Sequence, residues 1–489
     1  MRAPDPSPHL RRRGSLRPSG APRLLALVLS AALCAVPSAS AETGPVGWTQ
    51  YQGGPGHAGV VSFGPQPPYA PAWTFRVPVR DGEGGSVPVI AGGTVITEGP
   101  QAIYGIDATT GRQEWSVLRD GPPSTPAVAD GTVLFTDGAE AASSRLRAVD
   151  LHTRKDAWEV KLQAVSRSGV TVDGGRAFVA DAEGNVYGVE VATGKLDWRV
   201  VVGGEPKGPL AAADGRLFTV PLAHDFRTPV TASVVALDET DGGNAWGAPY
   251  TPQPASPFAS LAAADDQTVV VVSPGAVGDG EVRGISTRDG SVSWSGRVNG
   301  AVFPFVSTAV GDDAVYAADV TGGLHRIEPT GGAQRWQFQF NERVVHSSPV
   351  VVGDHVILGL SDGSIGVVDA GTGHLVWRST APSGPIGSLA VSPDLIVAQR
   401  SGAGGGLVAF RHDGSGALID VGSPTIPRYG QIVARFAVAF VAVGAAILVP
   451  LRLVARRLGP PPLEPEGDGL DGDEIDDDED VSDDGGDEG

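Results

Sequence analysis

Cysteine is all but missing from this chain. The one thiol, Cys34, lies in the apolar stretch "LLALVLSAALCAV", which follows Arg11, Arg12, Arg13, Arg17 and Arg23 and precedes the small residues "ASA" at 39–41. Basic, then apolar, then small is the order of a secretory signal, so residues 1–41 are expected to be removed and Cys34 with them. Leu33 stands where a lipoprotein signal needs glycine or alanine, and "RRGSL" is a weak twin-arginine match. A mature chain without thiols excludes disulfides, thiolate-held metals and attached haem. Lysine is scarce too, at four residues against 32 arginines. Positive charge in general is outweighed: the formal net charge is -20, and residues 42–429 alone carry about -14. A body that acidic argues against binding a phosphate backbone. Apolar runs of membrane length are also few. Beyond the signal, only Ile432 to Leu451 reaches 20 residues, broken once by Arg435.

That second run is long enough to cross about 30 Å of hydrocarbon as a helix. Arg452, Arg456 and Arg457 follow directly, which assigns that side to the cytoplasm. Arg435 can reach back out of the first turn. Residues 464–489 hold 15 Asp and Glu and no Lys or Arg, the composition of a solvated, disordered tail. The expected organisation is a signal peptide at 1–41, a leader at 42–69 and a β-domain at 70–421. A linker at 422–430, a transmembrane helix at 431–453 and a cytoplasmic acidic tail at 454–489 follow. The protein is then single-pass in the cell membrane, with its β-domain outside the cytoplasm.

What the chain does have is glycine and proline, 69 and 40 residues, and one phrase written many times. "IDATTGRQEW" ends at Trp115, and related phrases end at Trp158, Trp198, Trp246, Trp294, Trp336 and Trp377, at intervals of 43, 40, 48, 48, 42 and 41 residues. An eighth copy, "LVAFRHDGSGA", reaches Ala417 without a tryptophan. Strand-like alternation at a period near 40 marks a propeller, whose four-stranded blades each need neighbours to cover both faces. In one repeat, "SSPVVVGD", "HVILGLSDG", "SIGVVDAGTG" and "LVWRST" read as four successive strands with turns. The turn glycine supplies positive φ, and the tryptophan fills the wedge between blades once per repeat. Trp73, in "PAWTFRVPV" ahead of the first full repeat, is expected to lend its strand to the last blade and close the ring, removing the free sheet edges. The fold class is therefore all-β, an eight-bladed β-propeller with tryptophan docking motifs, plus one C-terminal transmembrane helix.

The motif A-x-D-x-x-T-G-x-x-x-W, matched well by 105–115, 188–198 and 367–377, resembles that of the quinoprotein-type eight-bladed propellers with pyrroloquinoline-quinone-like repeats. The leader "WTQYQGGPGHAG", Trp48 to Gly59, is similar to the one before the first blade of many such proteins. The resemblance covers roughly residues 48–420. It implies a fold and leaves activity open, since the family contains quinone-dependent dehydrogenases as well as non-catalytic binding propellers such as the outer-membrane assembly lipoproteins. The dehydrogenases hold their quinone on a tryptophan floor, often under a vicinal disulfide, with calcium on carboxylate and amide ligands and an Asp as base. In this chain Trp73, Trp115, Trp158, Trp198, Trp246, Trp294, Trp336 and Trp377 are assigned to blade docking and Trp48 to the leader, so none remains for a quinone.

Other chemistry finds no foothold in the pattern. No histidine pair has H-x-x-x-H spacing, "GGPGHAG" lacks the strand-to-helix setting of a phosphate loop, and "DGDEIDDDED" lacks the glycine and final Glu of a calcium-binding loop. No catalytic residue, metal or cofactor is expected. The remaining candidate is the face where every inner strand begins: Ser86, Ser124, Arg167, Lys207, Phe258, Phe305, His346 with Ser347, and Ile386. The longer repeats place "LAHDFRTPVT" of blade 4 and "SPGAVGDGEV" of blade 5 on the same funnel face, where repeat proteins commonly contact partners. The reading is a non-catalytic binding or scaffold module for a protein or other ligand. The alternatives are a receptor or sensor signalling through the acidic tail and, behind it, a quinone-dependent dehydrogenase. Departure of the chain toward the membrane is expected from the face opposite the funnel, unless "ALIDVG", Ala417 to Gly422, runs back as an extra strand.

Overall fold

The computed structural model describes residues 47–77, 86–206, 208–222, 232–253, 260–264, 267–275, 279–300, 302, 308–344, 346–379, 384–402, 405–412 and 419–420. The signal, transmembrane, linker and tail assignments fall outside them. So do Lys207, Phe258, Phe305 and the insertion residues 223–231 and 276–278. Among the described residues no helix is long and apolar enough to cross a membrane.

The repeats fold as eight blades of antiparallel sheet in chain order around an axis. Blade 3 shows the pattern: Thr171–Asp173 pairs with Arg176–Ala180, that with Asn185–Glu190, and that with Leu196–Val201. Its second and third strands are buried almost throughout, because neighbouring blades cover both their faces, whereas the outer strand alternates between buried and exposed. Packing is correspondingly local. The apolar core is a series of inter-blade clusters such as Val89, Ile96, Ile103, Trp115, Val133, Phe135 and Val149 between blades 1 and 2. The largest cluster lies where the ring closes, joining blades 7, 8 and 1 to N-terminal residues Trp48, Tyr69, Trp73 and Phe75.

Closure follows the expected route. Tyr69–Arg76 pairs antiparallel with Gly406–His412 as the outer strand of blade 8, with Trp73 opposite Ala409. A fifth strand then appears: Ile419–Asp420 runs parallel to Trp73–Thr74, back toward the funnel side. This is the extra strand expected as the alternative for "ALIDVG", and the reason is edge pairing, since the outer edge of Tyr69–Arg76 offers unpaired backbone groups; the linker expected to leave toward the membrane lies outside the described residues.

Blade 4 departs from the pattern. Ala211–Ala213, Arg216–Thr219 and Val235–Asp238 form three strands, and the fourth position is held only by the bridges Leu237 to Asn244 and Val234 to Tyr250. Between those bridges lies "AWGAP", where Pro249 has no N–H for a ladder and Gly247 adds no side chain to pack.

The tryptophans join successive blades by a shared geometry. The indole Nε1 of Trp73 donates to Ala108 O at 2.9 Å, Trp158 to Val191 O at 2.8 Å, Trp198 to Glu239 O at 3.0 Å, Trp246 to Thr287 O at 2.8 Å and Trp336 to Ala370 O at 3.1 Å. In each case the acceptor belongs to the third-to-fourth-strand turn of the next blade. The ring also lies flat on that turn's glycine: a Cβ on Gly242, at φ +73°, would meet Trp198 Cε3 at 2.6 Å. Only glycine satisfies both the left-handed backbone and the ring's approach. Trp115 and Trp294 differ, for their indole N–H groups are buried without a partner among the described residues. Beyond Trp115 the glycine position is Arg154, held at φ +61° with its guanidinium 5.1 Å from the ring centre. Trp377 packs edge-on against Tyr69 at 5.2 Å instead.

Candidate functional site

The leader determines what the propeller axis offers. Trp48 O accepts from Ile90 N of blade 1 at 2.7 Å, and Thr49 O from Val128 N of blade 2 at 2.8 Å. The Gln50 carboxamide bonds both the N–H and the carbonyl of Val172 in blade 3, at 2.8 and 3.0 Å. Pro55 O accepts from Ala212 N of blade 4, Ala58 O from Val310 N of blade 6 and Gly59 O from Val351 N of blade 7, at 2.8 to 2.9 Å. Val60–Val61 then joins Val351–Val352 as a parallel strand. Residues 48–61 thus cross the inner strands of six blades and plug the axis. Trp48 is fully buried there, and burial pushes the His57 imidazole down to about 3, so it is neutral within the plug.

Above the plug, the first residues of the inner strands form the funnel wall. Ser86, Ser124, Ser347 and Ile386 are buried. The Ser124 hydroxyl is 2.9 Å from that of Thr136, and Ser347 Oγ accepts the Gly359 N–H at 2.9 Å, so these hydroxyls extend the ladder between inner and second strands. The Ile386 side chain packs over Gly359. Arg167 is half exposed and pairs with Glu205 at 3.3 Å, while His346 is exposed on a left-handed backbone at φ +56°. Arg167 and His346 are therefore the candidates that reach solvent among the described residues of the set.

The wall is fastened by acids that the sequence reading passed over. Each stands at the end of a second strand and holds nearby loop or strand groups by hydrogen bonds or ion pairs. Asp181 accepts from Ala164 N, Asn185 Nδ2 and Tyr187 Oη at 2.6 to 3.1 Å. Asp137 accepts from Asp120 N, Arg145 and Arg147, which hold it below the usual carboxylate range although burial opposes ionisation. Asp319 is fully buried against His325 Nε2 at 2.9 Å, and the other ring nitrogen is 3.1 Å from Gln334 Oε1. Burial disfavours its charge, yet bonds from His325, Thr321 and Gly323 bring it to about 2. Glu98 is the exception. It accepts from Ser124 N at 2.9 Å and lies 3.5 Å from Arg119, but complete burial outweighs both and pushes it up to about 7. Arg119 in turn donates to four carbonyls, those of Gly99, Gly121, Pro122 and Thr136. Glu98, Ser86, Gln399 and Arg400 line a cavity of about 10 Å³ between blades 8 and 1, room for one water. The signal for these acids was present: an Asp or Glu closes the second strand and a glycine follows within three residues, as in "TEG", "TDG", "ADAEG" and "ADVTG". Among the described residues no three His, Cys, Asp or Glu side chains form a metal-ligand cluster.

A family profile described as outer membrane protein assembly factor BamB matches residues 35–144, 142–302 and 300–438. The chain belongs to this family. Among its relatives, BamB of Nitrosomonas eutropha is 26% identical over 246 residues, covering 46% of this chain and 55% of the relative. BamB of Burkholderia pseudomallei is 25% identical over 285 residues, covering 55% and 69%. A stretch of 121 residues is 33% identical to the serine/threonine-protein kinase AfsK of Streptomyces griseus, covering 23% of this chain and 15% of the kinase. The chain thus spans about half the length of the Nitrosomonas BamB and a small part of the kinase. In fold, the BamB-family chain is similar to quinohemoprotein alcohol dehydrogenase ADHIIG of Pseudomonas putida HK5, with a TM-score of 0.59 at 15% identity over 79% of this chain and 83% of that one. It is also similar to the computationally designed Ika8 protein, with a TM-score of 0.54 at 13% identity, covering 70% and 99%.

Proposed function

We propose that this BamB-family propeller is a non-catalytic binding or scaffold module, tethered to the cell membrane by residues 431–453, whose funnel face holds a protein partner outside the cytoplasm. The observation that carries the reading is the filled axis. With the leader hydrogen-bonded across six blades, the funnel is a blind cup, and recognition falls to its rim rather than to a passage for small molecules. Arg167 and His346 reach solvent on that rim. Lys207, Phe258, Phe305 and the insertions belong to the same proposed surface, with cationic and aromatic groups of the kind that anchor protein interfaces. The name assembly factor, carried by the BamB relatives, agrees with a scaffold. The kinase stretch favours a second reading, a receptor that signals through the acidic tail.

Photo-crosslinkers at Arg167 and His346 on intact cells test the first reading. A defined partner band is expected from both positions and none from Asp354, an exposed turn residue on the opposite face. Crosslinks from Asp354 alone would overturn it, and so would quinone-dependent dye reduction by the purified chain with alcohols or sugars. A cytoplasmic protein that co-purifies only when residues 464–489 are present would favour the receptor.

A further inference from the structure

The funnel face carries one residue that neither the binding reading nor the packing of the ring uses. The chain has four asparagines, Asn185, Asn244, Asn299 and Asn341, and only Asn299 is followed by glycine. It stands in the connection from the outer strand of blade 5, Val292–Val298, to the inner strand of blade 6, Ala309–Val310, and connections of this kind lie on the funnel face because inner strands begin there. Asn299 is exposed.

Position 300 is glycine for a structural reason. Its backbone sits at φ +149°, and a Cβ there would come within 2.6 Å of the Asp319 Cγ. Asp319 is the acid held by His325 inside blade 6, so the connection has to pass over it without a side chain. That bareness leaves the peptide open. Among the described residues no backbone hydrogen bond takes the Gly300 N–H, and no Cβ screens the nitrogen from the carboxamide beside it. Asparagine is a thermolabile residue, but the other three are guarded. Asn185 is 6% exposed, its Nδ2 donates to both oxygens of Asp181 at 3.0 Å, and the β-branched Val186 follows it. Asn244 is exposed, yet the next N–H, that of Ala245, donates to Ala236 O at 2.9 Å. Asn341 is exposed too, but Glu342 after it carries the Cβ that Gly300 lacks.

We propose that Asn299 is a site of spontaneous deamidation on the folded propeller. The Gly300 nitrogen, having given its proton to solvent, attacks the Asn299 Cγ; the new C–N bond closes a succinimide, and the carboxamide nitrogen leaves as ammonia. Water then opens the ring at either carbonyl to give aspartate or isoaspartate, and nothing is oxidised or reduced. Both products add a negative charge to the funnel rim, two residues from Arg297, whose guanidinium is 70% exposed and meets Asp279 and Glu281 only at 4.0 and 3.8 Å. Isoaspartate also lengthens the backbone by a methylene. The chemistry is independent of what the funnel binds.

The test keeps the purified full-length chain folded for days at physiological temperature, near pH 7 and near pH 8, then digests it and reads the asparagine-bearing peptides by mass spectrometry. The Asn299 peptide should lose ammonia and gain water, about tenfold faster at the higher pH because the reactive species is the deprotonated nitrogen, while the Asn341 peptide stays largely unchanged. The aged wild-type chain should gain an acidic band that comigrates with Asn299→Asp in isoelectric focusing, and Asn299→Gln should gain none. Conversion at Asn299 only after unfolding in urea would mean that the folded connection protects it. Equal conversion at Asn341 would mean that the bare Gly300 nitrogen has no bearing on the rate. Either result overturns the proposal.

Discussion

Trp198→Ala should be among the most damaging single changes in the ring. Trp198 is 9% exposed, stacks on Phe178 at 5.9 Å and lies between Gly188 of its own blade and Gly242 of the next. Both glycines lack the atoms to fill the space left behind, so the site cannot collapse. Truncating a buried tryptophan costs about 3 to 5 kcal/mol. The lost indole bond, which leaves Glu239 O unpaired, adds about 1 kcal/mol, placing the total near the top of that range. Trp198→Phe keeps most of the ring and loses the hydrogen bond, so it should cost about 1 to 2 kcal/mol. The assay is thermal and denaturant unfolding of the purified chain, followed by far-ultraviolet circular dichroism so that the signal does not depend on the residue removed. A loss below about 1 kcal/mol for Trp198→Ala would show that blades 3 and 4 are not joined through this residue, and the shared docking geometry would lose its energetic meaning.

Gln50→Ala removes two hydrogen bonds between the leader and blade 3 and leaves Val172 N–H and C=O unpaired in a half-buried setting, so stability should fall by about 1 to 2 kcal/mol; an unchanged midpoint would mean the plug is not part of the cooperative unit. Arg154→Ala loses the guanidinium over Trp115 yet keeps a non-glycine side chain at φ +61°, whereas Arg154→Gly loses the contact and relieves the backbone, so the glycine variant should be the more stable by about 1 kcal/mol in paired melts. Asp319 is lowered from 3.8 to about 2, so its contribution is present above the unfolded pKa and disappears as pH falls through the folded value. That is about 2 kcal/mol lost between about pH 4 and 2, and Asp319→Asn should flatten this acid limb in a series of melts across that range.

The repeated Asp–Thr–Gly turns and the tryptophan eight residues after the acid determined the blade count, the strand order within a blade and closure by the Trp73 strand. These are short-range signals: a glycine for positive φ, an Asx-type turn and one aromatic per repeat, each legible within about a dozen residues. The same local view could not see that Ser86, Ser124, Ser347 and Ile386 are covered, because which residues of a strand start reach solvent depends on the next blade. Nor could it find the role of Trp48 and Gln50, whose partners on the inner strands lie from 40 to more than 120 residues away along the chain. The failure of blade 4 to build a fourth strand was only half visible in Gly247 and Pro249, since its Asp, Gly and Trp match the other repeats. The return of Ile419–Asp420 along Trp73–Thr74 depended on an edge that exists only once residues more than 300 positions apart have met. Turn chemistry and periodicity are properties of the chain itself. Burial, charge compensation between blades and the use of the central axis arise only when the ring closes, because each is set by groups that the sequence keeps far apart.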